Sequence, residues 1–111
     1  MIHIIRNKAT QEQIDQMLEE LDPIIKLAVD IGRGILAGGG QMYADCEAVL
    51  METGSHQEDI WGANWIPVTQ IIEFEALINI RPKQQNMTMA IQDAVIKSKV
   101  ENISRKLLEG V

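Results

Sequence analysis

The sequence predicts a single α+β domain, residues 1–111, in which an antiparallel sheet of about five to six strands carries an N-terminal and a C-terminal helix packed on one face. Three observations predict it. Apolar residues alternate with polar ones along much of the stretch from 25 to 81, the period of a half-buried strand. The connections there are of turn length, too short for the crossover of about a dozen residues that parallel neighbours require. Near either end of the chain the apolar spacing becomes helical, and a capping residue stands before each such run.

Ile2 to Arg6 is short and apolar and reads as the first strand. Thr10 with Gln13 forms a capping box, and Ile14, Met17, Leu18 and Leu21 line one face of the helix that follows. Asp22-Pro23 ends it, because proline disfavours helical geometry in the residue before it. Ile25, Leu27, Val29 and Ile31 alternate with Lys26, Ala28 and Asp30 as a strand. Gly32-Arg33-Gly34 is a turn, and Ile35-Leu36-Ala37 returns. Gly38-Gly39-Gly40 marks a bulge, a sharp bend or the close approach of another backbone.

From Met42 to Met51 alternation predicts another strand, with Met42, Ala44, Cys46, Ala48 and Leu50 on one face and Tyr43, Asp45, Glu47, Val49 and Met51 on the other. A polar loop, Thr53 to Glu58, leads to a strand from Asp59 to Ile66, which Pro67 ends. Ile71 to Arg81 is the clearest strand pattern: Ile72, Phe74, Ala76, Ile78 and Ile80 oppose Glu73, Glu75, Asn79 and Arg81. Residues 83–92 read as a loop or extended linker. Asp93 caps the last helix, whose stripe is Ile96, Val100, Ile103 and Leu107, and Gly110 closes it.

Composition narrows the partners. No apolar run approaches the ~20 residues of a membrane helix, and the start has no basic region or cleavage site of a signal peptide, so the expectation is a cytoplasmic protein without membrane contact. Cys46 is the only cysteine, which suits a reducing compartment and excludes a cysteine-rich zinc site. A net charge of −6 argues against nucleic acid. The charge is uneven, −9 over residues 1–80 and +4 over residues 81–106, which suits head-to-tail or dimeric self-contact, the plainer reading being a helix with a solvated basic face; the expected partner is a second copy, as a homodimer.

The candidate site is the polar face of the sheet. On strands, Asp45 and Glu47 leave one side together, as do Glu75, Asn79 and Arg81, and Asp59 or Asn64, depending on register, joins them from between. Carboxylates beside an amide and an arginine suit a hard cation and a phosphate, or an acid and base for hydrolysis. The plainer reading is a solvated face with cross-strand ion pairs. Trp61 and Trp65 lie on the ligand side if Ile60 and Ile66 face the helices; in the opposite register they are core. Gly32, Gly34 and Gly38 lack the strand-then-helix context of a phosphate loop, so turn and bulge roles explain them. Ser55, His56 and Asp59 are too close in sequence for a hydrolase triad. Cys46 reads as a small core residue.

Several stretches together resemble a small bacterial family catalogued as domain of unknown function 5674. They are Gly38-Gly39, Ala44-Asp45-x-Glu47, Gly54-Ser55-x-Gln57-x-Asp59-x-Trp61-Gly62-x-Asn64, Ile78-Asn79-Ile80-Arg81-Pro82 and Asn86. Tyr43 departs from the pattern, standing where a histidine is expected. The resemblance implies no activity or cofactor; it singles out Asp45, Glu47, Asp59, Asn64, Asn79 and Arg81. Two functions fit. The first is a non-enzymatic binding or protein-interaction module using the tryptophan-bearing side. The alternative is a small metal-dependent hydrolase or nucleotide-processing enzyme, with Asp45, Glu47 and Asp59 on a divalent ion and Arg81 on a phosphate.

Overall fold

The computed structural model describes residues 1–111 as β1 (His3–Ile5), α1 (Gln11–Met17), β2 (Ile25–Asp30), β3 (Ile35–Gly38), α2 (Tyr43–Glu52), β4 (Ile60–Ile66), β5 (Ile71–Glu73) and α3 (Ala94–Leu108). The fold is α+β. The five strands form one antiparallel sheet in the order β1-β3-β2-β4-β5. No helix is long and apolar enough to cross a membrane.

The first helix begins as its capping box dictates. The Thr10 hydroxyl accepts from the Gln13 amide at 3.1 Å, and the Gln13 side chain accepts from the Thr10 amide at 3.0 Å. It ends at Met17, sooner than the spacing to Leu21 predicts, and turns carry the chain to Pro23. Asp93 caps α3 by accepting from the amides of Val95 and Ile96. The glycine triplet is where another backbone comes close. A side chain on Gly39 (φ +104°) would stand 2.2 Å from the Met1 carbonyl oxygen.

Both faces of the sheet are covered. Ile25, Leu27, Val29, Leu36, Trp61, Ala63 and Trp65 share one apolar cluster with Ile14 and Met17 of α1 and Val100, Leu107 and Leu108 of α3. Ala28, Ile35, Ala37 and Ile60 form a second cluster with Cys46 and Leu50 of α2. The strand predicted from Met42 to Met51 is therefore corrected to a helix. Tyr43, Cys46, Glu47 and Leu50 recur at the spacing of one helix face; Cys46, Glu47 and Leu50 are buried and Tyr43 partly so. The apparent alternation came from counting Met42, Ala44 and Ala48 as inward-facing, whereas all three are exposed.

The long strand predicted from Ile71 to Arg81 is also corrected. Pairing with β4 runs from Ile71 to Glu73, opposite Ile66 to Asn64, and ends there. The chain stays extended to Ala76, which donates to the Met89 carbonyl, then turns through a short 3₁₀ helix, Leu77–Asn79. Residues 83–92 begin within a short 3₁₀ helix, Pro82–Gln84, and continue as a loop tied down by bridges Glu75–Ala90 and Arg81–Asn86.

Candidate functional site

The polar face expected on the sheet is not formed, because α2 lies where it would be. Two residues apart on a strand share a side, but two apart on a helix diverge by about 200°. Asp45 is exposed and borders a shallow hollow with Met1, Glu20 and Gly39 to Gln41. Glu47 is buried against Arg81. Asp59 ends a 3₁₀ turn, Gln57–Asp59, with its carboxylate beside Gly32. No three of the acids, histidines and cysteine converge as a metal-binding group.

Of the seven candidate residues, Glu47 and Arg81 meet. The Arg81 guanidinium donates to Glu47 at 2.8 Å, to the Gln57 carbonyl at 2.7 Å and to the Ile78 carbonyl at 2.9 Å. It lies 5.1 Å from the Trp61 ring centroid. Burial holds the guanidinium below its ordinary pKa, against the opposing pull of the Glu47 carboxylate. Five N–H groups on a rigid fork let one side chain join α2, the 57–59 turn and the 78–81 segment, which a lysine could not do. The pair lines a cleft of about 670 Å³ together with Ile78, Ile80 and Pro82 and the exposed Glu58 and Lys83.

Asn79 is a scaffold, not a ligand group. It is fully buried, and its side chain accepts from the Gly62 amide at 2.7 Å and donates to the Gly62 carbonyl at 3.0 Å. It thereby occupies the edge of β4 that β5 leaves uncovered. Asn86, equally buried, donates to the carbonyls of Asn79, Thr88 and Ala90 and accepts from the Gln92 amide. The two amides fix the loop from 77 to 92, which lacks regular pairing of its own.

Trp61 and Trp65 are corrected to core residues. Both are buried in the cluster that contains α1 and α3, on the face opposite Ile60, Gly62 and Asn64. Arg105 lies over Trp65 as Arg81 does over Trp61. Cys46 is buried as expected, and desolvation pushes its thiol pKa up. His56 is exposed, and the Ser55 hydroxyl accepts from Arg33 at 2.7 Å.

Sequence reasoning missed a second cleft, about 530 Å³, between α2 and residues 73–77. The Tyr43 hydroxyl donates to the Asn64 side chain at 2.5 Å, with the Glu75 carbonyl at 3.2 Å, and Asn64 donates to that same carbonyl at 3.1 Å. Leu77 and Met89 supply apolar surface, and Glu73 and Glu75 the charge; the Phe74 ring turns to the other face and packs on the larger cluster. Burial raises the Tyr43 pKa, the hydrogen bond with Asn64 opposes this, and the charges of Glu73 and Glu75 add to the rise. The signal available in the sequence was Tyr43 at helical spacing from Cys46, Glu47 and Leu50.

A family of proteins of unknown function, DUF5674, matches residues 3–107, and the chain belongs to it. No curated protein and no solved structure matches the chain.

Proposed function

We propose, taking membership of a family without an assigned activity as the premise, that this protein is a non-enzymatic interaction module that pairs with a second copy of itself across the Arg81–Glu47 cleft. The observation that carries this reading is the make-up of that cleft. Ile80 is 44% exposed on a segment held in place by Asn79 and Asn86, and the exposed Glu58 and Lys83 line the same cleft. A twofold contact requires a self-complementary surface, in which Lys83 of one copy faces Glu58 of the other and the reverse. An apolar centre ringed by such pairs is the ordinary anatomy of an interface. The Arg81–Glu47 pair, already satisfied within the chain, holds the surface in place. The single buried cysteine supports a cytoplasmic setting.

Sedimentation velocity across a range of chain concentrations tests the proposal. Wild type should sediment as a dimer, and Ile80→Asp as a folded monomer with unchanged far-ultraviolet circular dichroism. Lys83→Glu should weaken the dimer by about tenfold, and adding Glu58→Lys to the same chain should restore it, since the swap regenerates both pairs. A wild type that stays monomeric at every concentration overturns the reading.

A further inference from the structure

We propose that the cleft between Tyr43 and residues 73–77 binds an organic cation, an alkylammonium whose charged head lies between Glu73 and Glu75 and whose hydrocarbon part follows Leu77 and Met89. The cleft shares no residue with the Arg81–Glu47 cleft.

Geometry brings the two carboxylates together. Asn64 pairs with Glu73 across β4 and β5, so their side chains leave the same face of the sheet. Glu75 follows two residues later on extended chain and keeps that side. Neither carboxylate has an ion-pair partner, and no basic side chain lines the cleft. Both carboxylates add to the rise in the Tyr43 pKa, behind the larger effect of burial.

The walls choose the kind of cation. A hard divalent ion takes about six or more oxygen ligands, and these two carboxylates have no third acidic or histidine partner. Leu77 is 64% exposed and Met89 43% exposed, apolar surface that a hydrated metal ion would leave wet and an alkyl chain would cover. The Tyr43 ring already attracts an ammonium group of its own chain, with Lys26 Nζ 4.7 Å from its centroid. Lys26 does not line the cleft, which leaves its interior to a further cation.

Hexyltrimethylammonium, permanently charged and tailed, is the probe, followed by the ring resonances of Tyr43 and the methyl resonances of Leu77 and Met89 in an NMR titration. Saturable shifts are expected. Hexanol, the neutral counterpart, and Mg²⁺ should not reproduce them. Glu73→Gln with Glu75→Gln, both at exposed positions, should weaken binding about tenfold. Raising the salt concentration should weaken binding to wild type, a readout that needs no variant. Absence of saturable shifts, hexanol or Mg²⁺ acting as well as the probe, binding unaltered by the double substitution, or salt-independent affinity would each overturn the proposal.

Discussion

At the scale of single residues, Tyr43 is the side chain whose protonation the fold alters most usefully, because it is the only tyrosine. Its pKa is raised above 10.0 first by burial, with Glu73 and Glu75 adding to the rise. The protonated phenol is thus favoured in the folded state. The stability this gives is fully present below the unfolded pKa and is lost as pH rises from there through the folded value. Tyrosinate absorbance during alkaline titration of the native protein should show a midpoint above that of the urea-unfolded chain. Glu73→Gln should lower the native midpoint. A native midpoint at or below the unfolded one would contradict the assigned environment. Asn79 teaches a different lesson. It was legible as a polar residue on an alternating segment and misread as surface, because alternation cannot distinguish an exposed amide from one completing a strand edge.

At the scale of elements, the sequence was most readable where a cap fixed a helix start or a turn fixed a register. Thr10 with Gln13, Asp93, and the Gly32–Gly34 turn between β2 and β3 behaved as their chemistry requires. It misled where alternation was accidental, as in α2. Val49 is the only β-branched residue between Tyr43 and Glu52, and that scarcity favoured a helix. Glu47 and Arg81 were both picked out, but their meeting across two elements depended on a helix that alternation concealed. The junction of β4 with the 74–80 segment rests on Gly62. A side chain there would meet the Ala76 β-carbon at 2.4 Å and an Ile78 carbon at 2.9 Å. Replacing a strand glycine usually strengthens a strand, yet Gly62→Ala should cost about 1–3 kcal/mol by forcing that segment outward. Urea denaturation measures it; an unchanged or raised midpoint would show that the segment yields freely.

At the scale of the whole molecule, the sheet separates two layers of side chains that share a backbone but few contacts with each other. The larger cluster joins α1 and α3 to one face, and the smaller joins α2 to the other. Alternation predicted one apolar and one polar face, because α2 could not be foreseen as a lid over the second. The aromatic residues divide along the same line. Trp61 and Trp65 lie in the larger cluster, while Tyr43 stands on α2 beside Asn64. Each layer therefore carries its own optical reporter: indole fluorescence follows one and second-derivative tyrosine absorbance the other. Coincident denaturation curves from the two signals mean that the layers melt as one cooperative body, whereas an earlier tyrosine transition would identify α2 as a unit that detaches while the tryptophan side still holds.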